Sequence, residues 1–277
     1  MSKLIHAGIR RMWYAKVFRI LMVISFGYGV GMQILMFWKT KSSGEHMAID
    51  ATFFLVIMFA GIVLAIFDSL FVGIEYSNGT IRNKLMVGHT KTKIYLCNLI
   101  ICILAGILSL ISYTIGYFLL GIPMFGFNFC MGASRIFSNL GLVVLLCFAY
   151  SAIFLLITVL IQNKSVAAVV ALLVAFFFLF SGVYIHNRLS EPQYYTEYVQ
   201  NGSEQELREV PNKSYLKGTK RKVYLTLKEI LPGGQAMSIV DLKKSDAENW
   251  RYASYSLLHV VIYTGAGIAI SRKMDIK

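Results

Sequence analysis

Ala51-Thr-Phe-Phe-Leu-Val-Ile-Met-Phe-Ala-Gly-Ile-Val-Leu-Ala-Ile-Phe-Asp-Ser-Leu-Phe-Val-Gly73 carries a single charged residue, Asp68. A helix needs about 20 predominantly apolar residues to cross the hydrocarbon core of a bilayer, and this run supplies them. The composition agrees with it. Apolar residues make up 57% of the 277, the mean hydropathy is +0.63, and 15% are charged, whereas a soluble domain carries about a quarter charged residues. Strands of a membrane β-barrel would alternate apolar and polar residues over about ten positions, and this run does not. The fold class expected is an all-α integral membrane protein.

Working outward, six spans are expected, near 20–38, 51–73, 95–120, 137–161, 166–185 and 253–270. The last is the least hydrophobic, with Ser254, Ser256, His259 and Thr264. The organisation follows: an interfacial segment 1–19, spans one to five over 20–185, an outer region 186–252, and the last span with its tail over 253–277. Basic residues fix the orientation. Lys3, Arg10, Arg11, Lys16 and Arg19 precede the first span without an acid, and Arg82, Lys84, Lys91 and Lys93 lie between the second and third. Arg272, Lys273 and Lys277 lie in the tail, opposed by Asp275. Both termini and the turn Gln162-Asn-Lys-Ser165 are therefore expected in the cytoplasm, with the chain multi-pass in the cell membrane. The net charge of +13 is read as inner-loop charge facing anionic lipid rather than as a nucleic-acid surface.

The N-terminal apolar run is too long for a cleavable signal peptide, and no small-residue cleavage site follows it. Over residues 4–18, Ile5, Ile9, Met12, Trp13 and Val17 share one helical face. This predicts a helix in the inner interface ahead of the first span.

The connector Glu75-Tyr-Ser-Asn-Gly-Thr-Ile-Arg-Asn-Lys84, continuing to Lys93, is more than a polar link. Gly79 can break the incoming helix, Thr80 can cap a new one, and Ile81, Leu85 and Met86 recur at helical spacing. A small amphipathic helix under the membrane suits docking onto a soluble partner. The pattern Glu-x-x-x-Gly-Thr-Ile-Arg, then a basic residue and a new span, resembles the ABC-2 type transporter permeases. It is met by Glu75, Gly79, Thr80, Ile81 and Arg82, with Lys91 or Lys93 as the basic residue. Gly88-His89 stands where many members carry a proline. The resemblance implies that this segment is the coupling helix that contacts a separate ATP-binding subunit. Glu75 and Arg82 would make its polar contacts, and Ile81, Leu85 and Met86 its apolar knobs. It also implies an N-terminal elbow helix, a bacterial source, and a second permease subunit, identical or a sibling.

Residues 186–252 form the one long polar stretch, expected outside and poor in regular structure. Lys222-Val-Tyr-Leu-Thr-Leu-Lys228 alternates weakly and reads as a strand. Leu231-Pro-Gly-Gly-Gln-Ala-Met-Ser-Ile-Val240 reads as a turn and a short helix, and a similar Pro-x-Gly-Gln segment precedes the last span of many ABC-2 permeases. A region this small folds only marginally alone, so it should rest on the spans or on a second protomer. No cysteine falls in it: Cys97, Cys102 and Cys147 lie in spans and Cys130 in an outer loop, so no disulfide framework is expected. Asn201-Gly-Ser and Asn212-Lys-Ser match the glycosylation sequon, a short pattern that arises by coincidence.

The chain lacks a Gly-x-x-x-x-Gly-Lys-[Ser/Thr] phosphate loop, a His-Glu-x-x-His and any cysteine pair at metal spacing. No catalytic residue and no metal site is expected, no cofactor is expected on this chain, and ATP with magnesium would be held by the partner. Two ionisable residues fall within spans, Asp68 and His259, and such residues are functional by default. Asp68 is expected near the inner headgroups, where it caps or pairs with a basic residue such as Arg82 or Arg19, with an ion or substrate contact as the other reading. His259 is expected to hydrogen-bond in the packed interior. Gly27-x-x-x-Gly31 and Gly265-x-Gly267 offer close helix approach. The 19 Phe and 16 Tyr fit lipid-facing and interfacial anchoring.

The function expected is the membrane subunit of an ATP-driven exporter. A sensor or scaffold that binds a ligand through its outer loop is a second reading. An intramembrane enzyme is a third, and it needs converging polar residues that the sequence does not display.

Overall fold

In the computed structural model, residues 1–44, 48–201, 204–241 and 249–274 are described. Ten α-helices, a short 3₁₀ turn at Phe53–Leu55 and one hairpin build these residues. Six helices are long and apolar enough to cross a membrane: Lys16–Ser42, Phe53–Ser77, Lys91–Phe125, Ala133–Ile161, Lys164–Ser190 and Asn249–Lys273. They comprise α2 (Lys16–Ser43), α3 (Val56–Ser77) with the 3₁₀ turn ahead of it, α5 (Lys91–Phe125), α6 (Ala133–Ile161), α7 (Lys164–Ser190) and α10 (Asn249–Lys273). Most run past the apolar cores read from the sequence, and at two of them a polar side chain caps the start. Thr90 accepts from the Lys93 amide at 3.4 Å, and Asn163 accepts from the Ser165 and Val166 amides at 3.0 and 3.2 Å. Such caps satisfy end amides that have no partner inside the helix.

The N-terminal helix α1 (Ser2–Tyr14) is separate from the first span, because Ala15 leaves helical geometry at φ −69, ψ 126. Its inner face is Leu4 and Met12, with Ile5 partly covered, packed in a cluster with Cys97, Leu99 and Ile101 of α5. Trp13, expected on that face, is 55% exposed. The packing surface runs through Leu4, Gly8 and Met12, and Trp13 edges onto Phe18 instead, with ring centroids 5.3 Å apart.

Helices α2 and α5 approach through Gly29 and Gly116. A Cβ on Gly29 would lie 2.4 Å from the Tyr113 carbonyl oxygen, and one on Gly116 2.4 Å from that of Phe26. The expected pair Gly27 and Gly31 meets nothing within 4 Å. One helical face packs at a time, and two residues' displacement turns a position through most of a half-circle. Gly267 does pack closely, against the Tyr95 ring, while Gly265 does not.

α1, the short helix α4 (Thr80–Met86) and the C-terminal end of α10 share one face of the bundle. Lys91 Nζ donates to the Met274 carbonyl at 2.7 Å, and Arg272 Nε donates to Thr92 Oγ1 at 3.0 Å. At the opposite face, residues 186–252 hold more regular structure than expected. Strands β1 (Tyr194–Asn201) and β2 (Glu204–Pro211) pair antiparallel, from Tyr194 opposite Pro211 to Asn201 opposite Glu204. Gly202 and Ser203, the rest of the first sequon, lie outside the described residues.

Lys222–Lys228, read as a strand, is part of helix α8 (Gly218–Ile230). Val223, Leu227 and Ile230 recur at helical spacing, and that period outweighs the short alternation. The expected turn and helix at Leu231–Val240 form α9 (Pro232–Val240), with proline at its first position. Gly233, Gln235, Ala236 and Ile239 are buried, and Gly182 of α7 meets the Gly233 carbonyl so closely that a Cβ there would lie 2.2 Å away. α9 therefore rests on α7.

Candidate functional site

The sequence places the candidate site at the end of α3, and the geometry centres it on Glu75. Its side chain is 2% exposed and accepts from three other elements. Arg11 of α1 and Lys84 of α4 both pair with Oε1, and Asn98 Nδ2 of α5 donates to Oε2 at 2.8 Å. One carboxylate thus ties α1, α4 and α5 together. Arg11 also stacks its guanidinium over the Phe71 ring at 3.9 Å, a contact worth about 1–2 kcal/mol where water is partly excluded. Burial lowers the Arg11 guanidinium from its ordinary value, and the charge of Glu75 opposes that shift.

Gly79 makes the turn into α4. It sits in the left-handed region at φ 66, which costs a side-chain-bearing residue about 1–2 kcal/mol. Gly79, not Thr80, occupies the cap position. Thr80 is the first helical residue, and its hydroxyl donates back to the Glu75 carbonyl at 3.0 Å, satisfying an end group of α3.

The residues expected as apolar knobs divide. Ile81 is 2% exposed and belongs to the chain's own core with Met12, Phe71, Val72 and Ile94. It is therefore not available to a partner, because a seven-residue helix must bury one face on its own chain to be held. Leu85 is partly buried against the same cluster. Met86 faces outward at 73% exposure, joined by Val87 at 78%. The sequence reading did not include Val87, although its position beside Met86 was the available signal. Arg82 is exposed and stands apart from the Glu75 cluster; the basic partner of Glu75 on α4 is Lys84.

Asp68 lies elsewhere. It is two helical turns before Glu75, about 10 Å deeper along the axis, and is 0% exposed. Neither carboxyl oxygen has a hydrogen-bond partner. The expected pairing with Arg82 or Arg19 is not made, because those side chains are exposed and the residue is too deep for them. The Cys102 thiol and the Ser151 hydroxyl stand beside it, without the geometry of ordinary hydrogen bonds. His259 lies far from both groups, with Nε2 2.7 Å from the Ile230 carbonyl and its ring stacked on Tyr263. Nearby, Ser256 donates to Gln235 Oε1 at 2.6 Å, and Gln235 Nε2 donates to the Glu229 carbonyl at 2.8 Å. These bonds seat α8, α9 and α10 together.

Among the described residues no group of His, Cys, Asp and Glu is placed to hold a metal ion. All four cysteines are free thiols. Comparison with known proteins adds no identity: no family model matches the chain, and no curated protein matches it.

Proposed function

We propose that the chain is the membrane-spanning permease subunit of an ABC-2 type ATP-driven exporter, which couples to a separate ATP-binding subunit through α4. The observation that carries this reading is the construction of α4. It is a short helix beneath the bundle, pinned from inside by Ile81 and by Glu75 through Lys84. It presents Met86 and Val87 outward among Arg82, Lys91 and Lys93. A force applied to the outward pair passes through Lys84 and Glu75 to α3, and through Asn98 to α5. ATP and magnesium belong to the partner in this reading, and this chain performs no catalysis. The assembly contains two permease subunits, identical or siblings, in a bacterial cell membrane, with α1 and α4 on the cytoplasmic side. Exposed apolar residues on α2, α7 and α10, such as Leu35, Phe180 and Val261, contact lipid.

The test is co-purification of the solubilised chain with candidate ATP-binding subunits, followed by ATPase assay in lipid. Association with stimulated hydrolysis is expected. Met86→Glu with Val87→Glu should reduce both at least about tenfold, the equivalent of 1.4 kcal/mol, with folding unchanged. No association with any ATPase, or undiminished coupling in that variant, would overturn the reading. The sensor alternative would then direct attention to ligands of residues 186–252.

A further inference from the structure

Asp68 is a buried acid that the coupling path does not use. It sits where α3, α5 and α6 converge, with Cys102 on α5 and Cys147 and Ser151 on α6. Asp68, Cys102 and Ser151 are 0% exposed and Cys147 is 1%. Both Asp68 oxygens and Ser151 Oγ are without a hydrogen-bond partner. Among the described residues no cation pairs with Asp68. The cation whose charge reaches this cluster, at Cys102, is Arg11, which is committed to Glu75. Of the other packed elements, α7 carries as ionisable residues Lys164 at one end and Tyr184, His186 and Arg188 towards the other.

A bare carboxylate in such a place costs several kcal/mol even after relaxation. Among the described residues no cation is placed to pair with it, and no group of His, Cys, Asp and Glu is placed to hold a metal there. A proton relieves it with the groups present: the acid becomes neutral, and its O–H gains Ser151 Oγ as an acceptor, a group that itself lacks a partner. We propose that Asp68 is a proton-binding site within the membrane-spanning bundle. The closed α3–α5–α6 packing holds it as the neutral acid, and loss of the proton opens that packing. This goes beyond the coupling reading and stands independently of it.

The test is isotope-edited infrared spectroscopy of the full chain in lipid nanodiscs, with and without carbonyl-labelled aspartate. A protonated-acid carbonyl band at neutral pH is expected, sensitive to the label and absent from Asp68→Asn. As pH rises the band should give way to carboxylate. Over the same interval Cys102 and Cys147 should become reactive to a membrane-permeant maleimide, while in Asp68→Asn they stay unreactive. The label identifies the acid in the wild-type chain, so the result does not depend on the variant folding. Two results overturn the proposal. One is the absence of a labelled acid band in the wild type at neutral pH. The other is a band that disappears when sodium replaces choline at fixed pH, which would make the site a cation site.

Discussion

Replacing Glu75 by alanine tests the joint most directly. The change removes the one acceptor shared by Arg11, Lys84 and Asn98. Breaking a buried pair by deleting one partner costs about 3–5 kcal/mol, because the surviving charge stays buried. Here the survivors are partly wet: the Arg11 and Lys84 side chains are 34% and 25% exposed. Each can recover some hydration, so the expected cost falls to about 2–4 kcal/mol. For a chain of this size, about 2–4 °C of melting temperature is lost per kcal/mol, which gives a fall of roughly 4–16 °C. Glu75→Gln keeps an acceptor for Asn98 and should lose about half as much.

The assay is thermal unfolding in nanodiscs, together with hydrogen exchange of α1 and α4. Release should be local first: residues 2–14 and 80–86 should lose protection before the spans do. A cycle with Lys84→Ala measures the pair itself, and a coupling energy below about 0.5 kcal/mol would mean that the two residues act independently. A Glu75→Ala chain that melts within a degree of wild type, with α1 and α4 still protected, refutes the reasoning.

Gly79→Ala forces a Cβ into the left-handed region and should cost about 1–2 kcal/mol, read as faster exchange in 80–86 with the spans unchanged. Gly116→Val should prevent stable assembly of α2 on α5, because the obstruction is the Phe26 backbone at 2.4 Å, whereas Gly27→Ala and Gly31→Ala should leave the melting temperature unchanged. Cys130 is the one exposed cysteine. Burial, then the hydrogen bond and charge of Asp50, push its thiol up to about 11. Its thiolate fraction, and with it the maleimide labelling rate, should therefore climb with pH until about 11; a rate that levels off near pH 9 would remove Asp50 from the account.

The six spans were legible because run length and hydropathy suffice to identify a crossing helix. Their ends were not, because Thr90 and Asn163 extend helices beyond the apolar residues. The hairpin was obscured by its polarity. Tyr194-Tyr-Thr-Glu-Tyr-Val199 is rich in strand formers, and Asn201-Gly202 is a hairpin turn signal, but both fell in a stretch read as loop. Lys222–Lys228 misled in the opposite direction, since Val-Tyr-Leu-Thr-Leu satisfies a strand pattern locally and a helix over a longer window. At the site, the motif gave the position of Glu75 and the existence of α4. It could not give the partners, because Arg11, Lys84 and Asn98 come together only when α1, α4 and α5 have packed. It likewise could not say which of Ile81, Leu85 and Met86 would be spent on the chain's own core.

Depth was the other quantity out of reach. An apolar run ending near Gly73 places Asp68 close to the headgroups, whereas a helix continuing to Ser77 carries it two turns below the Glu75 joint. That shift changes the chemistry required of the residue. An acid near the surface can borrow water or a lysine, while an acid enclosed by Cys102, Cys147 and Ser151 depends on the groups packed around it. α3 thus carries two acids under opposite constraints. Glu75 pairs with two cations and an amide from three other elements and works as a mechanical tie. Among the described residues no cation pairs with Asp68, and in the proposal above its protonation governs whether the helices around it stay closed. If α4 moves α3, the motion reaches both residues on one rigid element. The infrared band of Asp68 in Glu75→Ala then reports whether the two are linked: an unchanged band means that the tie and the proton site are independent features of α3, and a lost band means that closing the joint is what keeps the proton in place.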